Sequence, residues 1–384
     1  MNYMDHAATT PVRGDVIEAM VEMMEDQFGN PSSLHRMGLK AERAMERARD
    51  RIAKFLTCRS EQIVFTSGGT EGNNLGMRGF LPMELPVGSN LCIGGVEHSS
   101  VLQVAKELER RGVECRLLPV DRHGRILMDE AVKRIDEKTI LLSVQHVNNE
   151  VGGIQPIDSL GELIRKIAPK AHFHVDGVQA VGKIPVSLRS LDVDSYAFSG
   201  HKINATKGIG GLYLKDPKAI HPILWGSKQE RGLRPGTENV PAIVGLGVAV
   251  AALQEEFDAH QASYIENRIT LIKAIEERMD RIIINTPLSL EEAAPHIVSV
   301  SFDGVKAEIV LHMLEMKEIY VSTGSACSSK ARGNRILEQM GIAANWREGT
   351  LRISYSWDSS VEKINELMTA LIEAVGEVRE LTMR

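Results

Sequence analysis

The chain has 384 residues, a formal net charge of −6, and 43% hydrophobic and 25% charged residues. At roughly 150 residues per domain this suggests about two or three domains, and the balance excludes a disordered, collagen-like or disulfide-stapled chain. No long basic run is present, so we expect no direct nucleic-acid binding.

Neither the first residues nor the longest apolar run indicates a signal peptide or a membrane-spanning segment. The first residues have neither the basic cluster nor the apolar core of a signal peptide. The longest apolar run, Ala242–Leu253, is shorter than the roughly 20 residues that a membrane span needs. We therefore expect a cytoplasmic protein with no membrane segment.

Short apolar runs typical of strands alternate with amphipathic helical patterns in the first two thirds of the chain, among them helices over Ser99–Arg111 and Ile157–Ala168. This alternation predicts an α/β fold with a mostly parallel sheet and helices on both faces. The predicted strands are Gln62–Thr66, Asn90–Gly94, Cys115–Pro119, Ile140–Gln145, His172–Asp176, Ser195–Ser199 and Gly210–Leu214.

The pattern changes after Pro241. A long helical stretch, Ala242–Asp280, is predicted to contain an interruption. A second set of elements follows, and it predicts a smaller α+β domain that begins near residue 255. Its strands are Ile297–Phe302 and Leu351–Tyr355, and its helices are Ala307–Met316 and Val361–Val378.

A glycine-rich loop, Thr66–Asn74, follows a predicted strand and opens a helical pattern. Glycines let backbone N–H groups approach an anion, and a helix N-terminus favours negative charge, so the loop is a candidate phosphate site. It matches neither a Walker A loop nor G-x-G-x-x-G, which argues against nucleotides. A simple strand-to-helix turn is the open alternative.

Two further strand ends carry reactive side chains, Asp176 and Lys202. Open α/β sheets place ligands at the carboxyl ends of their strands, and a desolvated lysine there suits a Schiff base. A lysine, an acid for a ring nitrogen and a phosphate loop are the parts of a pyridoxal phosphate site. His172 and His174 share one face of a strand, but no further ligands lie nearby, so we expect structural roles and no metal.

The fourth motif, Ser322–Arg335, is a small-residue, glycine-containing segment with one cysteine, Cys327. Its composition predicts an exposed, mobile loop. Three cations in it, Lys330, Arg332 and Arg335, would favour the thiolate. The other three cysteines lie in periodic segments typical of buried positions.

Taken together, these motifs resemble the cysteine desulfurases of the NifS/IscS type, in the class V aminotransferase superfamily of fold-type-I pyridoxal phosphate enzymes. The Gly-Ser-Ala-Cys form of the last loop is similar to the long-loop group. The resemblance covers nearly the whole chain and is carried by Tyr3–Pro11, Gly29–His35, Thr66–Asn74, Glu97-His98, Val147–Glu150, His174–Gln179, Ser199–Lys202, Gln229–Asn239 and Cys327.

The resemblance implies a role for each matching residue. Lys202 would hold the cofactor covalently, and Cys327 would attack the substrate sulfur. His98 would stack on the cofactor ring and act as an acid or base. Asp176 would pair with the ring nitrogen, and Gln179 would bind the phenolic oxygen. The implied phosphate ligands are Gly69, Thr70, Ser199 and His201, with Thr237 of the partner subunit. The implied ligands of the substrate carboxylate are Asn149, Arg352 and, more weakly, Asn30.

The implied activity converts L-cysteine to L-alanine in a homodimer and passes a persulfide from Cys327 to an acceptor protein, an iron–sulfur scaffold or a thiolation enzyme. The implied domains are residues 14–255, which hold the cofactor, and residues 1–13 with 256–384, which carry the cysteine loop. The alternatives are a selenocysteine lyase, another class V enzyme such as an aminotransferase, and a sulfur-relay scaffold for an iron–sulfur assembly protein. An aminotransferase would not need Cys327.

Overall fold

The structure is a computed structural model that describes residues 1–82, 84–324 and 335–382. Its strands are β1 (Asn2–Tyr3), β2 (Ile63–Thr66), β3 (Asn90–Gly94), β4 (Glu114–Leu118), β5 (Thr139–Gln145), β6 (His172–Asp176), β7 (Ser195–Ser199), β8 (Gly210–Leu214), β9 (Ile282–Ile284), β10 (Ile297–Phe302), β11 (Ile319–Tyr320) and β12 (Thr350–Ser354). Its helices are α1 (Gly14–Glu25), α2 (Arg36–Phe55), α3 (Gly69–Arg78), α4 (Ser99–Arg110), α5 (Met128–Arg134), α6 (Ile157–Ile167), α7 (Val240–Arg278), α8 (Ala307–Glu315), α9 (Arg335–Gln339), α10 (Ala344–Arg347) and α11 (Val361–Thr382). Short 3₁₀ turns cover Ser60–Gln62, Gly200–Lys202, Pro217–Ala219 and Gln229–Gly232.

The main sheet has seven strands in the order β2-β8-β7-β6-β5-β3-β4 among the described residues. Strands β3 to β7 pair in parallel, and β8 runs antiparallel to both β7 and β2. Every residue of β6 and β7, and all of β5 except Ile140, is buried, because helices cover both faces of the sheet. The predicted mostly parallel α/β sheet is confirmed, and it brings the carboxyl ends of β6 and β7 side by side.

The interruption predicted in the long helical stretch is wrong, because α7 runs unbroken over Val240–Arg278. Its two early glycines serve close packing instead. A Cβ on Gly245 would lie 2.9 Å from Met20 of α1, and one on Gly247 would lie 2.6 Å from Ala48 of α2. Length and composition would let α7 cross a membrane, and half of its most apolar window is buried in the protein.

A three-stranded antiparallel sheet, β12-β10-β9, and the parallel pair β1-β11 form a second layer with α8 and α11. Its hydrophobic cluster includes Met4 from the N-terminus and Tyr264 and Leu271 from the far half of α7. The first cluster, around the main sheet, also takes in Ile336 and Leu337 of α9. The predicted domain limits stay a prediction. Helix α9 lies within the range predicted for the smaller domain, but it packs against the hydrophobic cluster around the main sheet.

Candidate active site

Lys202 lies in the 3₁₀ turn Gly200–Lys202, directly after β7. Its Nζ donates to the carbonyl oxygens of Ala7 and Ala8, at 2.5 and 2.7 Å. The N-terminal segment therefore crosses the carboxyl edge of the main sheet. Residue Thr10 fixes this crossing, because its backbone N–H and its hydroxyl both donate to the carbonyl oxygen of His201.

Asp176 is the last residue of β6 and is 5% exposed. Its Oδ2 accepts a hydrogen bond from Asn73 Nδ2 at 2.8 Å, and its Oδ1 accepts one from the Val178 backbone at 3.0 Å. Two donors, one on each oxygen, fix the plane of the carboxylate. The arrangement suits pairing with a cationic ring nitrogen.

His98 is the N-cap of α4, where its Nδ1 accepts from the Ser100 backbone N–H at 3.2 Å. More than a third of its surface is open to solvent, while protein atoms surround the rest of the ring. This burial, with the charges of Lys202 and Arg335, lowers the pKa of His98, and the charge of Asp176 opposes the shift. His98 thus has an open face, and the charges of Lys202 and Asp176 both act on it.

Glycines and hydroxyls form a cup between the start of α3 and the end of β7. Gly68 has a φ of 151°, which residues with a side chain rarely adopt, and its Cβ position would be in ordinary contact with Ser199 Oγ at 3.6 Å. Gly69 and Thr70 begin α3, whose free N–H groups favour an anion. Thr70 also lines an adjoining cavity of about 300 Å³.

His201 lies on the other side of this cup, and its Nδ1 is 3.2 Å from the Thr9 hydroxyl. Burial and the charges of Lys202 and Lys207 lower the pKa of His201 to about 4, so the ring is neutral at pH 7. Thr237 is exposed, and within the described ranges no hydrogen bond joins it to the cup. The structure thus places Gly69, Thr70 and Ser199 around one cup, with the His201 ring held against Thr9 two residues after Ser199.

Gln179 follows β6 by three residues and is buried beside the N-terminal segment. Its Nε2 donates to Ala7 O at 2.9 Å, and its Oε1 is 3.5 Å from His296 Nε2. Ala7 O is therefore a common acceptor for Gln179 and Lys202. This shared contact places the two predicted cofactor ligands next to each other.

Arg352 lies in β12, and its guanidinium faces the main sheet. Its Nη1 donates to Asn149 O at 2.9 Å, and its Nη2 forms an ion pair with Asp5 at 2.6 Å. Two buried polar atoms here, Asn149 Oδ1 and Arg352 Nε, have no hydrogen-bond partner among the residues that the structure describes. An acceptor and a donor of this kind are the groups that the amine and carboxylate of an amino acid would satisfy.

Asn30, the weaker predicted carboxylate ligand, makes only local contacts among those described. Its Oδ1 accepts from Ser32 N at 2.9 Å, and its carbonyl oxygen accepts from Ser33 N. The side chain is exposed. These contacts give Asn30 a turn-forming role before α2, and they do not join it to Arg352 or Asn149.

Cys327, Lys330 and Arg332 lie outside the described residues. Arg335, which begins α9, donates to Gly95 O and Glu97 O, both at 2.6 Å. Its guanidinium is thus bound to the loop that carries His98, and its predicted effect on the Cys327 thiolate stays a prediction. On the preceding side, Ser322 forms an antiparallel bridge with Arg352. Both ends of the cysteine segment are anchored at the site.

Sequence reasoning missed the N-terminal carbonyl groups, Asp5 and Asn73, all of which contact predicted site residues. It also missed Lys183, whose Nζ donates to the Tyr264 hydroxyl at 2.6 Å. Burial lowers the pKa of Lys183 to about 7. The signal for Asp5 was present, because the N-terminal motif carried part of the family resemblance. Every residue has a backbone carbonyl group, so the residue types do not indicate which carbonyl groups make these contacts.

The residues present fit pyridoxal phosphate. The glycine turn at Gly68 faces Ser199 at the start of α3, where a phosphate would bind, and the paired Asp176 carboxylate and the lysine amine lie at the same sheet edge. Asn149 Oδ1 and Arg352 Nε lack a partner within the described ranges. Among the described residues no three His, Cys, Asp or Glu side chains form a group that could hold a metal ion, and His172 and His174 both contact Ser195 Oγ.

Comparison with known proteins agrees with this geometry. The family model for aminotransferase class-V matches residues 2–367. The chain is 37% identical to the cysteine desulfurase IscS of Dictyoglomus turgidum, over 99% of this chain and 96% of the relative. It is 36% identical to cysteine desulfurase IscS 1 of Archaeoglobus fulgidus over the full length of both.

Solved structures show the same fold. A NifS-like protein superposes with a TM-score of 0.91 at 34% identity, covering 98% of this chain and 99% of that one. A structure described as SspA in complex with cysteine gives a TM-score of 0.80 at 33% identity, covering 93% of this chain and 99% of that one. The predicted resemblance is confirmed: the chain belongs to the cysteine desulfurases of the class-V aminotransferase family, enzymes that depend on pyridoxal phosphate.

Proposed function

We propose that this enzyme converts L-cysteine to L-alanine and leaves a persulfide on Cys327. The carbon–sulfur bond of the substrate breaks, and a sulfur–sulfur bond to Cys327 forms. The carbon gains the thiol hydrogen and is reduced, while the sulfur pair is oxidised, so the step needs no external oxidant. The observation that carries the proposal is the convergence of Lys202, Asp176 and Arg352 on one sheet edge.

The bound cofactor supplies an electron sink that stabilises negative charge at the substrate Cα. The protein's own residues bind and orient. Arg352 is a planar, always charged fork that suits a carboxylate, and its Asp5 and Asn149 contacts fix its position. His98, with its lowered pKa, is neutral at pH 7 and can accept or return a proton there.

The other cysteines support Cys327 as the sulfur acceptor. Cys92 is buried, and Cys58 and Cys115 are half-buried. Burial raises the pKa of each of these thiols to about 12, so they stay protonated and unreactive at pH 7. The chain has four cysteines, so Cys327 is the one that remains.

The test is direct. Purified enzyme loaded with pyridoxal phosphate and given L-cysteine is expected to release alanine and, without a reductant, to gain one sulfur atom on the peptide that contains Cys327. Mass spectrometry of the digested protein locates that atom. Sulfur on another cysteine peptide, or alanine formation without any protein-bound sulfur, would contradict the proposal.

The homodimer is the second part of the proposal. Four exposed apolar side chains of α1 and the following turn form a stripe: Ile17, Val21, Met24 and Phe28. A contiguous apolar face of this kind supports an interface between copies. Thr237, exposed and outside its own cup, would then complete the cup of the other copy.

Mixing two inactive variants checks this sharing. Lys202→Ala lacks the amine, and Thr237→Val lacks the hydroxyl. If each site takes its lysine from one subunit and its threonine from the other, a mixed dimer has one site with both defects and one site with neither. If Thr237 crosses the interface, mixing equal amounts after subunit exchange should recover up to about a quarter of wild-type activity. A mixture that stays as inactive as its components would contradict the crossing, provided that light scattering shows exchanged dimers.

The names of the relatives favour cysteine over the selenocysteine lyase, aminotransferase and scaffold alternatives. We propose that the acceptor is an iron–sulfur scaffold or a thiolation enzyme. Transfer of radioactive sulfur from loaded enzyme to each purified candidate separates these acceptors, and transfer to neither contradicts the proposal. The cytoplasmic location stays a prediction.

A further inference from the structure

A connected set of buried polar side chains lies beneath the site, and the roles given above do not account for it. Asn73, inside α3 and 1% exposed, is at its centre. Its Nδ2 contacts Asp176 Oδ2 and Ser100 Oγ, both at 2.8 Å. Its Oδ1 is 3.0 Å from His174 Nε2. One amide thus joins the end of β6 to the start of α4.

Hydrogen-bonding chemistry fixes the orientation of this amide. A carboxylate only accepts, so Asp176 must face the NH₂ group, and Oδ1 then faces His174. Burial lowers the pKa of His174 to about 3, so its neutral ring donates from Nε2 alone. Its Nδ1 accepts from the Ser195 hydroxyl at 2.8 Å, which completes the partners of Asn73 and His174.

The same reasoning continues through Ser100 to His98. Because Ser100 Oγ accepts one Asn73 hydrogen, its own hydrogen is directed to His98 Nδ1, 2.8 Å away. The Ser100 backbone N–H donates to the same nitrogen at 3.2 Å. Two donors at Nδ1 leave the single hydrogen of a neutral ring on Nε2.

We propose that Asn73 is a positioning residue for two groups of the site, Asp176 and His98. It holds the Asp176 carboxylate in place for the cofactor ring, and through Ser100 it selects the His98 tautomer that carries hydrogen on Nε2. The inference rests on the proposed function in assigning Asp176 and His98 to the chemistry. Its structural part, the tautomer, holds independently of that function.

The effect of the Ser100 hydroxyl on His98 can be separated from the effects of the other groups around His98. Among the described residues, the charged side chains that act on it from other elements are Asp176 at the end of β6, Lys202 after β7 and Arg335 of α9. None of these is removed by a substitution at Ser100. Loss of the hydroxyl therefore changes only the donor to Nδ1, and it should raise the pKa of His98, because that donor stabilises the neutral ring.

The first experiment is nitrogen NMR of full-length protein with labelled histidine, with and without pyridoxal phosphate. The His98 signal is assigned by its loss in His98→Gln. We expect the Nε2–H tautomer in the wild type, and mixed tautomers with titration at higher pH in Ser100→Ala and Asn73→Leu. Asn345→Leu, which removes an exposed amide from Asp303, is the control and should match the wild type.

The second experiment separates the contact of Asn73 with Asp176 from the effect of Asn73 on His98 through Ser100. Asn73→Leu should weaken pyridoxal phosphate binding about tenfold, because Asp176 loses a buried donor, whereas Ser100→Ala should bind it normally. A wild-type tautomer in Ser100→Ala overturns the inference, even if Asn73→Leu fails to fold. If Asp176→Ala binds the cofactor normally, the proposed role of Asp176 is wrong. The tautomer measurement still tests whether Asn73 acts on His98 through Ser100.

Discussion

Replacing Lys202 by alanine is expected to abolish alanine formation from cysteine, with a loss on the order of a thousand-fold or more. The Lys202 amine is the group proposed to bond covalently to the cofactor. Lys183, whose pKa is lowered by burial and by the charge of Lys202, donates to the Tyr264 hydroxyl in the protein interior and is not expected to replace it. The absorption band of covalently bound pyridoxal phosphate should disappear with the activity.

Lys207→Ala provides the matched control. Lys207 is exposed on the same loop, and its charge also acts on His201, so it tests whether a nearby positive charge suffices. This variant should keep the absorption band and most of the activity. Borohydride reduction of the wild type should attach the cofactor to the peptide that contains Lys202, and attachment to any other lysine would show that the site is assigned wrongly.

Replacing Cys327 by serine should leave cofactor and cysteine binding intact and lower alanine release on the order of a hundred-fold or more. A serine hydroxyl at pH 7 is a far weaker nucleophile toward sulfur than a thiolate. The residues proposed to bind the amino acid, Arg352 and Asn149, are unchanged by this substitution. Spectral changes on adding cysteine should therefore persist while turnover stops.

Cys115→Ser is the control for a generic loss of a thiol. Cys115 lies on β4 with a raised pKa, and its replacement should leave the rate near that of the wild type. Normal turnover by Cys327→Ser would remove this cysteine from the mechanism. Alanine measured by chromatography, rather than sulfide alone, avoids confusion with sulfur still bound to the protein.

The elements of the main sheet were predictable because buried parallel strands have a plain signature. Four strands, Asn90–Gly94, His172–Asp176, Ser195–Ser199 and Gly210–Leu214, match their predicted bounds, and Ile297–Phe302 does so in the second sheet. Others differ by a residue or two, where hydrogen bonding rather than residue type ends the strand. The length of α7 was not predictable from its glycines, because only packing against α1 and α2 explains them.

The site was predictable where function selects a distinctive side chain at a strand end, as with Lys202 and Asp176. It was not predictable where the partner is a backbone carbonyl or a common amide. Asn73 lies within a motif that the sequence singled out, yet its contact with Asp176 joins residues 103 positions apart. Such a contact depends on how α3 packs on the sheet, and one sequence does not report it.

The N-terminal segment has a consequence for the order in which the protein is made. Asp5 is synthesised well before its partner Arg352, which follows 347 positions later in the chain. Closing so long a loop is slow and cannot begin until β12 has been synthesised. A nascent chain released before that strand would already contain Lys202 and Asp176, yet it would lack the guanidinium that is proposed to hold the substrate. Competence to bind cysteine is therefore expected only after β12 has been synthesised.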